Sequence, residues 1–173
     1  VAWGPRRGAS RLVCGSLSLH VDLEAQLAAF KGSESALLFG SGFLANMGVV
    51  AALAPKGGVV LSDQLNHASL VDGCRLAGAE TVIYPHADTD ALAAALANAD
   101  GRPATIVTDS VFSMDGDLAP LNEIVERVLA GAAAGRTKPQ ESGGNHRLVC
   151  HGRVLVAREL FALKRGTTLL RHR

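Results

Sequence analysis

Apolar positions along this chain fall into two rhythms. Leu23, Leu27 and Phe30 recur at helical spacing within His20–Phe30, and Gly32 stands where a helix would stop. Phe43–Leu53 lacks a polar face and predicts a buried helix. Ala68–Ala77 predicts another, ended by Gly78, and Asp88 or Thr89 can cap one running to about Asn98. Pro120 opens a last helix with an apolar stripe of Leu121, Ile124, Val125 and Val128, and Gly131 lies beyond it. Between these lie short apolar runs, Ala36–Phe39, Val59–Asp63, Thr81–Pro85 and Thr105–Phe112, which predict strands. Strands alternating with helices predict an α/β domain of three layers, with a mostly parallel sheet covered on both faces. Ligands of such sheets gather at the carboxyl ends of the strands.

Composition changes this picture at one place. The 173 residues are 48% apolar and 19% charged, which is globular and enough for one domain. The net charge of +1 conceals a split: residues 1–130 hold 8 Lys/Arg against 14 Asp/Glu, and residues 131–173 hold 9 against 2. A uniformly basic nucleic-acid binder is excluded, and no nucleic-acid partner is expected. Residues 131–146, rich in Gly and Ala with Pro and Ser, read as a linker, and Arg153–Leu163 is apolar enough for one more strand or helix.

Cys14, Cys74 and Cys150 form no C-x-x-C pair, so neither a disulfide framework nor a metal site is expected, and a reducing cytoplasm fits. The chain starts at Val1 without the apolar stretch of a secretory signal, as if entered partway through. Ser35–Pro55 contains no charge, but Gly40, Ser41, Gly42, Asn46 and Gly48 divide it into strand, turn and buried helix, so no membrane span is expected.

Three turns carry candidate chemistry. The first is Gly40-Ser-Gly-Phe-Leu-Ala, between an expected strand and an expected helix. Its glycines permit close backbone approach, and the N–H groups opening the helix favour an anion. Asp63 follows Gly40 by 23 residues, so a dinucleotide-binding fingerprint is open beside other phosphates and a plain strand–helix turn. The second turn holds His67, within Asp63-Gln-Leu-Asn-His-Ala-Ser-Leu. The third holds Ser113, within Thr108-Asp-Ser-Val-Phe-Ser-Met-Asp-Gly-Asp, where Asp115, Gly116 and Asp117 explain the turn itself. A His67, Ser113 and Asp109 hydrolase triad is disfavoured, because Ser113 is not in a G-x-S-x-G elbow.

Four segments occur in order: Gly8-Ala-Ser-Arg-Leu-Val-Cys-Gly, Ser41-Gly-Phe-Leu-Ala-Asn, Leu65-Asn-His-Ala-Ser-Leu and Val111-Phe-Ser-Met-Asp-Gly-Asp-Leu-Ala-Pro. Together they resemble the α-oxoamine synthase family of fold-type I pyridoxal-phosphate enzymes, from about Gly8 to Leu129. The resemblance implies the large, cofactor-binding domain of such an enzyme, in part. It implies pyridoxal 5′-phosphate as cofactor, an amino acid and an acyl thioester on CoA or a carrier protein as substrates, decarboxylative condensation, and a homodimer. Gly8-Ala-Ser-Arg-Leu-Val and Asp117-Leu-Ala-Pro are similar to the branch using alanine and a pimeloyl thioester in biotin biosynthesis. The glycine and acetyl-CoA branch is the alternative, and an NAD-binding domain the alternative outside the family.

By the same resemblance, Gly42 and Phe43 would offer backbone N–H groups to the cofactor phosphate. His67 would lie against the cofactor ring, approach the substrate and act as the catalytic residue, and Ser113 would hydrogen-bond near the ring's phenolic oxygen. Asn46 and Asp109 would support them. No metal is implied. The family also uses an aspartate on a later strand and a cofactor-anchoring lysine. The last aspartate here is Asp117, and neither Lys138 nor Lys164 stands in the family's setting. Residues 131–173 are therefore expected to be a basic tail outside the family, and the chain an inactive piece of the large domain.

Overall fold

A computed structural model describes residues 10–11, 15–54, 56–133 and 152–156. Residues up to Leu38 form one unit, and a second begins at Phe39. The first unit contains α1 (Ser18–Lys31). Gly32 ends it in the left-handed conformation, φ +63°, as the sequence predicts. The expected stripe stays largely exposed, with Phe30 84% exposed, and Ala28 is the buried position of the helix. Among the described residues, this unit supplies no second layer to cover that stripe.

The expected strand Ala36–Phe39 does not form. Side chains take its backbone groups instead. Leu38 N–H donates to Glu24 Oε1 (2.6 Å), and Leu38 C=O accepts from Arg11 Nη1 (3.0 Å). Arg11 also donates to both Glu24 oxygens, at 2.5 and 3.1 Å. With Arg11 and the Leu38 amide beside it, the Glu24 carboxyl is held below its ordinary range.

The second unit is the expected α/β sandwich. Its elements are α2 (Gly42–Leu53), β1 (Val59–Asp63), α3 (Ala68–Ala77), β2 (Glu80–Tyr84), α4 (Thr89–Asn98), β3 (Ala104–Thr108), α5 (Leu121–Ala133) and β4 (Gly152–Val156). The strands are all parallel, in the order β2-β1-β3-β4. β1 and β3 are buried throughout, which is why their sequences are apolar or small up to Asp63 at the end of β1. Val60 and Val107 face Val49, Val50, Leu70 and Cys74 of α2 and α3. Val59, Leu61 and Ile106 face Leu92 of α4 and Ile124 of α5 on the other side. Burial pushes the Cys74 thiol up, so it stays a protonated core residue.

α5 carries the predicted stripe: Ile124 is buried, Leu121 and Val128 pack against the same cluster, and the helix continues through Gly131. α2 is less buried than predicted, because Phe43 and Leu44 in its first turn are exposed. β3 stops at Thr108 rather than Phe112, since Asp109 N–H leaves the ladder to donate to the Asn66 side chain (2.9 Å). β4 falls in the segment expected to form one more strand or helix, although Lys138, Lys164, Cys14 and Cys150 lie outside the described residues.

Candidate functional site

The direction of α2 decides where its glycine turn lies. Its last carbonyls sit at the amino edge of the sheet: Leu53 C=O accepts from Thr105 Oγ1 (3.4 Å), near the start of β3. Twelve residues of helix span about 18 Å, so Gly42 stands at the carboxyl edge. Ser41 Oγ caps the helix by accepting Leu44 N–H (3.2 Å). The N–H groups of Gly42 and Phe43 find no acceptor among the described residues. A Cβ added at Gly42 would meet no other atom within 4 Å, and at Gly40 only Leu44 Cδ1 at 4.0 Å. Among the described residues the space beside these glycines is open, and the donor set fits a phosphate.

α3 runs beside α2 in the same direction. Asn46 Nδ2 donates to Ser69 Oγ (2.8 Å), and one turn further on the backbone of Gly73 lies against Val50. His67 is the N-cap of α3: its Nδ1 accepts Ser69 N–H (3.2 Å) and lies 2.7 Å from Ser69 Oγ. Because Nδ1 receives that N–H, the neutral ring carries its proton on Nε2. The chain Asn46–Ser69–His67 thus fixes the ring's tautomer.

Asp109 supports His67 by a different route. Its Oδ2 accepts the backbone N–H of His67 (2.8 Å), not the ring. Asn66 locks the same corner by donating to Val107 C=O (2.8 Å) and Ser62 Oγ (2.9 Å) and accepting from Asp109 N–H. A hydrolase triad is excluded by this geometry: the ring nitrogen that would meet Asp109 is engaged by Ser69.

Ser113 lies at the exposed tip of a loop closed by Phe112 N–H to Asp117 C=O (2.9 Å), Ala119 N–H to Ser110 C=O (3.2 Å) and an antiparallel bridge of Val111 with Leu118. The loop leaves the sheet at the end of β3, so Ser113 shares the carboxyl edge with His67 and the α2 amides. No direct contact joins Ser113 to His67.

His86 escaped the sequence reading. It follows β2, and its Nδ1 lies 2.9 Å from Asp63 Oδ1 and its Nε2 2.7 Å from Asp117 Oδ2. Its ring packs edge-on against Phe112, centroids 4.4 Å apart. Asp63, with a side chain 2% exposed, also accepts N–H groups from Leu65 (2.8 Å) and Ala87 (2.9 Å). The bond to Asp63, with Asp117 opposite, raises the His86 pKa above its ordinary value. The signal available in the sequence was only a His two residues beyond a strand, within Tyr84-Pro-His-Ala.

These contacts remove the dinucleotide reading. That fingerprint needs a strand before the glycine turn and a carboxylate at Asp63 able to reach a ribose. Residues 36–39 form no strand, and Asp63 is buried and fully engaged. β4, Gly-Arg-Val-Leu-Val, brings no carboxylate to the sheet. Among the described residues no cluster of His, Cys, Asp or Glu could hold a metal, and no helix is long and apolar enough to cross a membrane.

The sequence profile of the family "Aminotransferase class I and II" matches residues 6–130. An 8-amino-7-oxononanoate synthase of Geobacter sulfurreducens is 56% identical over 124 residues, covering 71% of this chain and 32% of that protein. The enzyme of the same name from Mycolicibacterium smegmatis is 54% identical over 122 residues, covering 70% and 32%. The chain therefore spans about a third of the length of the curated relatives it matches. Among solved structures, a serine palmitoyltransferase of S. paucimobilis with PLP and myriocin bound superimposes with TM-score 0.70 at 31% identity, covering 87% of this chain and 33% of that one. An 8-amino-7-oxononanoate synthase of Francisella tularensis gives 0.54 at 26% identity, covering 82% and 34%.

Proposed function

This chain belongs to the aminotransferase class I and II family, and from that premise we propose that it is part of the cofactor-binding large domain of an 8-amino-7-oxononanoate synthase. The whole enzyme would condense L-alanine with a pimeloyl thioester, lose carbon dioxide and release 8-amino-7-oxononanoate for biotin biosynthesis. The observation that carries this reading is the identity of 54–56% to proteins of that name over 122 and 124 residues. Pyridoxal phosphate, when bound, would supply the electron sink for chemistry at the amino acid's α-carbon.

Each residue's part is the one the resemblance implies, and its place at the carboxyl edge supports it. The Gly42 and Phe43 amides would hold the phosphate, helped by the dipole of α2. His67, its proton kept on Nε2 by Ser69, would lie against the cofactor ring and present an N–H donor toward the substrate. Ser113 would hydrogen-bond near the phenolic oxygen from its loop. Asn46 and Asp109 would hold His67, one through its ring and one through its backbone. The enzyme would work as a homodimer in the cytoplasm. Residues 131–173 would be a tail outside the family.

Product analysis tests the reading. The protein encoded by the whole gene, given alanine and a pimeloyl thioester, is expected to form 8-amino-7-oxononanoate, read by mass spectrometry. Formation of 2-amino-3-ketobutyrate from glycine and acetyl-CoA, with no product from alanine, would move the chain to the other branch. Turnover by these 173 residues alone, with a borohydride-trapped cofactor adduct, would overturn the view of the chain as an inactive piece.

A further inference from the structure

Both ring nitrogens of His86 face carboxylate oxygens, Asp63 Oδ1 at 2.9 Å and Asp117 Oδ2 at 2.7 Å. An ionised carboxylate only accepts, so both nitrogens must donate, and the ring between two carboxylates is an imidazolium. The two ends of this bridge differ. Asp63 is buried at the end of β1 and anchored by the amides of Leu65 and Ala87. Asp117 belongs to the 111–118 loop, its side chain 41% exposed. Its second oxygen, Oδ1, is buried without a hydrogen-bond partner among the described residues, so of these His86 compensates this carboxylate.

Neighbouring charges are turned elsewhere. Asp88, at the start of α4, accepts the amides of Asp90 and Ala91. Asp90 pairs with Arg127 of α5, and Glu123 of α5 accepts the Thr89 hydroxyl. Asp63 from β1 and Asp117 from the loop are thus the charged groups that meet the ring. Phe112, buried under the loop, sets the ring's plane by its edge-on contact.

We propose that His86 is a positioning residue: its imidazolium latches the Ser113 loop to the carboxyl edge of the sheet through Asp117. This rests on the reading of Ser113 as a cofactor-binding residue, because the latch then holds one side of the cofactor site. Loss of the proton at Nε2 would set a lone pair against the Asp117 carboxylate and release the loop. Asp63, still held by two backbone amides, would stay in place.

Amide hydrogen exchange on the full chain tests this. The reporters are the Phe112 and Ala119 N–H groups that close the loop, with Val60 and Leu61 in β1 as controls. Asp117→Ala is expected to lower protection of the loop amides about tenfold, the scale of a lost hydrogen bond to a charged group, and to spare β1. His86→Ala is expected to do the same. If it fails to fold, Asp117→Ala decides, since that side chain is partly exposed. The wild type is expected to lose loop protection as pH rises through the raised folded value of His86, after correction for intrinsic exchange, whereas Asp117→Ala shows no such step. Unchanged loop protection in Asp117→Ala would overturn the latch. Ser113→Ala separates the two readings: ring absorbance of added pyridoxal phosphate that ignores this variant, while Asp117→Ala still frees the loop, leaves the latch standing and removes the cofactor role of Ser113.

Discussion

Replacing Gly73 by alanine tests how the two helices beside His67 hold each other. A Cβ at this position would stand 2.9 Å from Val50 Cβ, 3.3 Å from Asn46 O and 3.3 Å from Met47 Cα. Two of these three atoms are backbone, so no rotamer change clears them and α2 itself must shift. Forcing a methyl into such a contact costs about 1–3 kcal/mol. Alanine returns about 1 kcal/mol of helix propensity over glycine. We expect a net loss of about 1–2 kcal/mol, the rigid contacts placing it above the break-even end. For a chain of this size that lowers the thermal midpoint by about 2–8 °C. Gly48→Ala is the matched control. Its Cβ would meet Phe39 Cε1 at 3.1 Å, an aromatic ring that can turn aside, so a change within about 0.5 kcal/mol is expected. Circular dichroism melts of the two variants decide the magnitude. Ring 15N shifts of His67 decide the consequence: moving the Asn46 carbonyl strains the Asn46–Ser69 bond and with it the His67 tautomer. A Gly73→Ala protein as stable as the wild type, with an unaltered His67 ring, would refute the reasoning.

Other outcomes follow from the same contacts. Asn66→Ala removes three hydrogen bonds and leaves the buried Asp109 amide without its acceptor; chemical denaturation is expected to show a loss of about 2–4 kcal/mol. The raised pKa of His86 implies stability that is fully present below the unfolded histidine value, about 6.5, and fades as pH rises through the folded value. Glu24, whose pKa is depressed, runs the other way: its contribution is present above the ordinary carboxylate range and is lost as pH falls through the folded value. Denaturant midpoints across pH for the wild type and His86→Ala check the first slope; the excess at acid to neutral pH must vanish in the variant. Gly42→Val fills open space, so it should leave the melting temperature nearly unchanged while abolishing the 31P response of added pyridoxal phosphate; a variant that responds like the wild type would remove the phosphate from this mouth.

The sandwich was legible because each of its layers is written locally. Val59–Asp63 and Ala68–Ala77 fall where the pattern places them, since a buried parallel strand opens on an apolar run, here Val59–Leu61, and the helix ends on a glycine at φ +65°. Ala36–Phe39 has the same apolar signature and forms no strand. A strand needs a partner's backbone, and here the Leu38 N–H and C=O go to Glu24 and Arg11, from 14 and 27 residues away. Nothing within the run itself records that competition.

The site divides along the same line. Glycines before a helix, a histidine at an N-cap and a serine at a turn tip are local features, and the structure brings all three to one edge. The pieces that hold them there are long-range. Asp109 reaches the His67 amide across 42 residues, Asn66 reaches Val107 across 41, and His86 joins residues 23 positions before it and 31 after. As single letters, Asp63, Asn66, Asp109 and Asp117 read as turn formers, which they also are. Their second role appears only when parallel pairing sets the ends of β1, β2 and β3 side by side. Each loop that follows β1, β2 or β3 then has a side chain from another loop or strand satisfying its backbone or its charge. A sequence shows which residues could carry chemistry, and the sheet's register decides which residues keep them in place.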